Sequence, residues 1–127
     1  MKAFGLHYII ELSGCEAEII KSEDKVRDVI LEAARKARAQ IRGLSVHEFK
    51  PHGVSGVVVI AESHLSIHTW PEYHYAAIDI FTCGDSTEPQ KACEFMEKEL
   101  KSEHSKITVI RRGIKDRNNH RTHKIFE

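Results

Sequence analysis

The 127-residue chain has few cysteines and prolines, a single tryptophan and no net charge of either sign, and the cysteine count and the charge balance each argue against a class of protein or site. It contains three cysteines, three prolines and one tryptophan, and its 19 basic residues are balanced by 19 acidic ones. Cys15, Cys83 and Cys93 are odd in number and lack CxxC spacing. Neither a disulfide framework nor a cysteine-rich zinc site is therefore expected, and a reducing cytoplasm is the natural location. The zero formal charge, without a basic run, also argues against a nucleic-acid-binding surface.

Long apolar runs are missing as well. The first residues contain no extended apolar segment, and no later run approaches the roughly eighteen apolar residues of a membrane-spanning helix. A chain of this length can enclose one hydrophobic core. We therefore expect a single domain over residues 1–127, located in the cytoplasm and not inserted in a membrane.

Two segments in the first third of the chain show clear periodicity. Apolar residues alternate over positions 6–12, which predicts a strand that Gly14 ends. From Glu23 to Arg42, apolar residues recur every three or four positions, which predicts an amphipathic helix. Ser22 would cap this helix, and Gly43 would stop it.

The remainder combines short β-prone segments with one further helix. That helix is predicted to begin at Thr87-Glu88-Pro89, where a cap residue precedes a first-turn proline, and to continue to Leu100. Strands are predicted at about 44–49, 54–61, 64–69, 75–82 and 107–110. The order β, α, four β, α, β predicts an α+β fold: a two-layer sandwich with a mostly antiparallel sheet and two helices on one face.

Ser63, His68 and Cys83 occupy strand-like segments joined by one short turn. If the Glu62–Ser63 peptide were strained, the Ser63 hydroxyl could attack the preceding carbonyl; spacing alone favours an ordinary strand serine bonded to backbone. His68 falls on the opposite face of an unbroken strand, so a bulge or turn would be needed to bring it to Ser63. Cys83 either lines a cleft as proton donor or nucleophile, or packs as a small hydrophobe.

Two other motifs resemble signatures of different chemistry but do not match them. Gly53-Val54-Ser55-Gly56 is not the G-x-S-x-G elbow of serine hydrolases, because its second glycine comes one residue early and no helix follows. His64 and His68 are four residues apart, which on a strand places them about 13 Å from each other, too far to share a zinc ion without a bulge. A metal-dependent hydrolase that uses these histidines and Cys83 remains an alternative.

One ordered block of motifs resembles a known family. The block consists of Gly53-Val54-Ser55-Gly56, Glu62-Ser63-His64-Leu65, Ile67-His68-Thr69-Trp70-Pro71-Glu72-Tyr73 and Phe81-Thr82-Cys83-Gly84. It resembles the short prokaryotic form of S-adenosylmethionine decarboxylase, and the predicted order of elements agrees over most of the remaining chain. His74 lies inside the block without an obvious role.

The resemblance implies a proenzyme that processes itself. The Glu62–Ser63 peptide would break to give a β chain, residues 1–62, and an α chain, residues 63–127, with Ser63 converted to an N-terminal pyruvoyl group. The Ser63 hydroxyl would attack the Glu62 carbonyl. His68 would be the base in the elimination that follows, and Ser55 would hydrogen-bond the tetrahedral intermediate of the acyl shift.

The same resemblance implies decarboxylation of S-adenosylmethionine, which supplies the aminopropyl donor for spermidine synthesis. The pyruvoyl group would replace pyridoxal phosphate as electron sink, and Cys83 would return a proton to the alpha carbon. Aromatic faces and a carboxylate suit a sulfonium nucleoside. The residues implied in substrate binding are Phe49, Leu65, Trp70 and Glu72.

The family resemblance also implies that two αβ units pair as (αβ)2, without nucleic-acid or membrane partners. Two alternatives remain open from the sequence. Within the same fold, a pyruvoyl-dependent arginine decarboxylase would share the catalytic residues and differ in its pocket. From another class, a ligand-binding or regulatory homologue would keep the fold and never process.

Overall fold

A computed structural model describes residues 3–61, 63–83 and 86–113 of the chain. Within these ranges six strands, three α-helices and one 3₁₀ turn follow one another. In chain order they are β1 (Gly5–Ser13), α1 (Ala17–Ile20), α2 (Glu23–Lys36), β2 (Ile41–Glu48), β3 (Val54–Ile60), β4 (Ser63–Trp70), the 3₁₀ turn (Pro71–Tyr73), β5 (Tyr75–Cys83), α3 (Pro89–Glu99) and β6 (His104–Arg112).

The six strands form one sheet in the order β2-β3-β4-β5-β1-β6, and all five neighbouring pairs are antiparallel. Helix α2 packs against β2, β3, β4 and α3, while α3 also contacts β1, so the helices cover one face of the sheet. The predicted α+β two-layer sandwich is confirmed. Among the helices in the described ranges, none is both long and apolar enough to cross a membrane.

Side chains alternate across the sheet as the strand period requires. Ile10, Val58, Leu65 and Ile78 point to the helices and are at most 1% exposed. Their sequence neighbours point the other way, onto a surface that no helix of the described chain covers, which we call the open face. The outward-pointing residues of its four central strands include His7, Glu11, Ser55, Val57, Val59, His64, Ser66, His68, Tyr75, Asp79, Phe81 and Cys83.

The first long helix ends earlier than the sequence predicted. Ser22 caps α2 as expected, because its hydroxyl accepts a hydrogen bond from the Lys25 amide at 3.2 Å. The helix stops at Lys36, and Arg38 takes a left-handed conformation with φ 61°. The prediction that it continues to Arg42 and that Gly43 stops it is wrong. Residues 41–43 belong to β2. Ile41 packs against the core from this strand, and its distance in sequence from Ala37 matches the helical spacing only by coincidence.

Gly5 lets β1 approach β5 closely at one end of the sheet. A Cβ on Gly5 would lie 2.7 Å from the Thr82 carbonyl oxygen and 2.7 Å from a ring carbon of Phe81. The carbonyl belongs to the strand backbone and cannot rotate away as a side chain could. A side chain at position 5 must therefore displace the β1/β5 ladder or the Phe81 ring.

We predict that Gly5→Ala lowers the free energy of unfolding by about 1–3 kcal/mol, the usual cost of overpacking. Urea denaturation followed by circular dichroism measures this change. Gly43→Ala is the matched control, since a Cβ there meets only Val59 Cβ at 3.8 Å, an ordinary contact. Equal stability of the two variants would contradict the close approach at Gly5.

Candidate active site

Strand β4 runs without a bulge, and this separates Ser63 from His68. Its pairing with β3 extends from Ile60↔Ser63 to Ser55↔His68, and its pairing with β5 is equally regular. Five residues of strand span about 16 Å, and alternation directs the two side chains to opposite faces. Within one chain, therefore, the hydroxyl of Ser63 and the imidazole of His68 do not meet.

His68 is instead paired with Ser55 from the neighbouring strand. The two residues face each other across β3 and β4, and His68 Nδ1 lies 2.7 Å from Ser55 Oγ. Both side chains lie on the open face. His47 of β2 continues the same row beside Ser55, and its ring packs edge-on against Phe49 with centroids 4.5 Å apart. Phe49 is 48% exposed, so its ring is available beside the Ser55–His68 pair.

The link between β4 and β5 brings two further predicted residues to the same end. Trp70 is the last residue of β4, is 40% exposed, and its ring lies 5.4 Å from the Tyr75 ring. Glu72 follows in the 3₁₀ turn and is exposed. The structure thus groups Phe49, Ser55, His68, Trp70 and Glu72 at one end of the sheet, which we call the His68 end.

Ser63 and Cys83 occupy the opposite end, which we call the Ser63 end. Ser63 begins β4, is half-buried, and its hydroxyl donates a 3.4 Å hydrogen bond to the Ala61 carbonyl. Because His64 pairs with Phe81, continuation of the register brings Ser63 beside the last residues of β5. Cys83 is half-buried there, and it occupies one of the alternate positions of β5 whose side chains point to the open face. Glu62 lies outside the described residues.

Leu65 is placed differently from the other predicted substrate residues. It points to the helices and is 1% exposed, so its side chain is part of the hydrophobic core. Any contact between Leu65 and a ligand on the open face would have to come from its backbone.

A polar group that sequence reasoning missed lies between the two ends. Asp79 Oδ1 is 3.0 Å from His7 Nε2, and Asp79 Oδ2 accepts a 3.3 Å hydrogen bond from the Ser66 hydroxyl. Strand alternation could have assigned each of these residues to the open face. Their contact could not be foreseen, because His7 and Asp79 are 72 positions apart in sequence.

The three cysteines differ in environment. Burial raises the pKa of the Cys15 thiol to about 11. Burial, with Glu97 nearby, likewise raises the pKa of Cys93 to about 11. The Cys15 thiol also donates to the Leu12 carbonyl at 3.6 Å. Over the part of the chain that the structure describes, no group of three histidine, cysteine or acidic side chains could hold a metal ion.

Comparison with solved structures defines the class of protein. The crystal structure of the adenosylmethionine decarboxylase from Aquifex aeolicus VF5 superposes with a TM-score of 0.85 and 33% identity, over 92% of this chain and 97% of that one. The Trypanosoma brucei AdoMetDC-delta26 monomer shares the fold, with a TM-score of 0.62 and 16% identity over 82% of this chain and 45% of that one. The one-sheet, two-layer sandwich is thus the fold of a decarboxylase.

Comparison of sequences defines the family. The family model for S-adenosylmethionine decarboxylase matches residues 6–113. The S-adenosylmethionine decarboxylase proenzyme of Thermococcus onnurineus is 42% identical over 99% of this chain and 89% of its own length. That of Caldicellulosiruptor saccharolyticus is 47% identical over 90% of this chain and 92% of its own. The chain belongs to the S-adenosylmethionine decarboxylase family.

We predict that iodoacetamide alkylates Cys83 first when the folded protein is treated at pH 8. With a pKa of about 11, Cys15 and Cys93 would each carry about one thiolate per thousand molecules at that pH. Peptide mapping by mass spectrometry gives the order of labelling, and the urea-unfolded chain, in which all three thiols react, is the control. Labelling of Cys15 or Cys93 before Cys83 would contradict the burial and the raised pKa of those two thiols.

Proposed function

We propose that this chain decarboxylates S-adenosylmethionine, to CO2 and an aminopropyl donor for spermidine synthesis, after cutting itself between Glu62 and Ser63. The activity follows from family membership, since relatives 40–47% identical to it are named S-adenosylmethionine decarboxylase proenzymes. The observation that carries the catalytic proposal is the 2.7 Å contact between Ser55 Oγ and His68 Nδ1. A cytoplasmic location is part of the proposal.

The Ser55–His68 contact suits both roles proposed for these residues. For His68 to act as base through Nε2, its Nδ1 must carry the proton and donate to Ser55 Oγ. The Ser55 hydroxyl hydrogen then remains available to donate elsewhere, as stabilisation of the oxyanion of the acyl shift requires. One hydrogen-bonding arrangement therefore supports the base and the oxyanion donor together.

The Ser63 end suits formation of a pyruvoyl group. Ser63 lies at the very start of a strand, half-buried, and its hydroxyl donates to the nearby Ala61 carbonyl, so a new chain terminus there leaves the β4 pairings that follow it in place. A pyruvoyl group at this position would supply the electron sink for decarboxylation. Cys83 lies at the same end, at a strand position that faces the open face, and it is the proposed proton donor to the alpha carbon.

The separation of the two ends leads us to propose that each active site is shared between two chains. Ser63 and Cys83 of one chain would meet Phe49, Ser55, His68, Trp70 and Glu72 of another. The separation of about 16 Å along β4 supports this, because no bulge shortens it. The proton that His68 of the other chain would remove is on the Ser63 alpha carbon, which belongs to the backbone at the start of β4 and not to the side chain.

Pairing of two open faces would create this arrangement. The two-fold axis would lie between the two faces, perpendicular to the strands and near their middle. It would reverse the strand direction of the partner and place the Ser63 end of each chain opposite the His68 end of the other. The open face offers apolar surface for such packing, including Val59, which is 47% exposed. The (αβ)2 assembly would then contain two equivalent sites.

We predict that the purified protein consists of two chains, residues 1–62 and 63–127, and that the second is lighter by one ammonia than a serine-started chain. Intact mass spectrometry under denaturing conditions measures both masses. Ser63→Ala should remain whole, because it lacks the attacking hydroxyl, while Ser45→Ala, an exposed strand serine, should process normally. A wild-type chain that stays whole would favour the ligand-binding or regulatory alternative.

The substrate is tested on the processed protein. Release of CO2 from carboxyl-labelled S-adenosylmethionine is expected, and release from labelled arginine is not. Activity on arginine alone would refute the proposed substrate while leaving self-processing intact.

The shared site predicts complementation between inactive chains. Ser63→Ala and His68→Ala should each remain uncut when expressed alone. When the two are co-expressed with different tags, about half of the His68→Ala chains should be cut, the share expected in mixed pairs at random association. If mixed pairs are recovered through both tags and the His68→Ala chain in them is still whole, the site is not shared in this way.

A further inference from the structure

The β4–β5 turn, residues 71–74, carries Glu72 and directly follows Trp70, the last residue of β4; both residues are proposed to bind substrate. Its own backbone supplies little regular structure: one 3₁₀ turn, followed by His74 in a left-handed conformation with φ 53°. A binding site needs such residues held in place by other groups. Two side-chain contacts, made by His74 and by Tyr75 at the start of β5, link this region to β1 and the segment after it, in addition to the Ser13↔Tyr75 pairing of the strands.

The first contact runs through Tyr75. The Tyr75 ring lies 5.4 Å from the Trp70 ring at an angle of 36°, and the Tyr75 hydroxyl donates a 2.9 Å hydrogen bond to Glu11 Oε1. Burial and the Glu11 carboxylate both raise the Tyr75 pKa, so the phenol keeps the proton that it donates. Since the acceptor is a carboxylate, this is a charge-assisted bond.

The second contact runs through His74. The His74 Nδ1–H donates to the Cys15 carbonyl at 3.0 Å, and the Cys15 amide donates to the His74 carbonyl at 2.9 Å. A carbonyl can only accept, so Nδ1 must carry a proton. Cys15 is itself 1% exposed and anchored in the core. The turn is therefore attached at two neighbouring residues to a rigid part of the fold.

We infer that Tyr75 and His74 are positioning residues for substrate binding: Tyr75, anchored by Glu11, fixes the Trp70 ring, and His74 fixes the turn that presents Glu72. This inference rests on the proposed substrate roles of Trp70 and Glu72. Neither Tyr75 nor His74 need touch the substrate. Loss of either contact should weaken substrate binding and leave self-processing intact, because the hydrogen bonds of Tyr75 and His74 go to Glu11 and Cys15, whereas Ser55 and His68 bond each other.

The chain has one tryptophan, so its fluorescence reports on Trp70 directly and independently of activity. Tyr75→Phe keeps the ring and removes the bond to Glu11, and it should lower the anisotropy of Trp70 and shift its emission to longer wavelength. Glu11→Gln keeps a neutral acceptor for the hydroxyl in place of the charged one, and it should change both signals in the same direction but less than Tyr75→Phe does. Tyr73→Phe is the matched control, because it removes a hydroxyl from the same turn at a residue that is 74% exposed.

Kinetics with S-adenosylmethionine give the second readout. Tyr75→Phe should raise KM by about threefold to tenfold, the range expected for one hydrogen bond, with kcat nearly unchanged. His74→Gly keeps the left-handed backbone and removes the ring bond, so a similar rise in KM is expected. The extent of processing, measured by mass, should equal that of wild type in both variants.

Two results would overturn the inference, and they differ from failure of the proposed function. If Trp70→Ala raises KM while Tyr75→Phe and His74→Gly leave both KM and the fluorescence unchanged, the turn does not need these contacts. If fluorescence shifts but KM does not, the contacts hold the ring without serving the substrate. If instead Trp70→Ala itself has the KM of wild type, the substrate role of Trp70 is wrong, and the inference is overturned with it.

Discussion

The hydrogen-bonded register of β4 is the constraint on which the arrangement of the site depends. Both neighbours of β4 pair with it without a shift, so its length and the alternation of its side chains are fixed by strand geometry. Residues five positions apart cannot approach each other on such a strand. The contacts that assemble the candidate site in the described residues therefore join different elements, as in the Ser55–His68 pair of β3 and β4.

The same strands supply the hydrophobic core on one face and the candidate site on the other. In β3, Val58 and Ile60 pack under the helices, while Ser55 points to the open face. In β4, Leu65 and Ile67 are core residues, and His68 is exposed. A substitution on one face thus acts mainly on folding, and one on the other face acts mainly on the site. This division is also why Leu65 differs from the other residues that the family resemblance implied.

Much of the fold could be predicted from the sequence, because apolar periodicity reports directly on burial. The alternation around Tyr8 and Ile10 and the proline start of α3 helped to give the class and the order of the strands and the two longer helices, although the short helix α1 was not predicted. The end of α2 was missed since Ala37 and Ile41 keep a helical spacing although Ile41 lies in a strand. The candidate site came from ordered motifs rather than from geometry. Contacts such as Tyr75–Glu11, 64 positions apart, depend on strand order and register, which periodicity does not encode.

The order of the strands bears on what a break before Ser63 would do to the molecule. Residues before that point form β1, β2 and β3, and residues after it form β4, β5 and β6. The sheet does not keep these groups apart, because β1 lies between β5 and β6 and pairs with both. Drawing the fragments apart would require the β3/β4, β5/β1 and β1/β6 ladders to open together. Because strands of the two fragments alternate within one sheet, we expect the cut chain to stay together as a single folded unit.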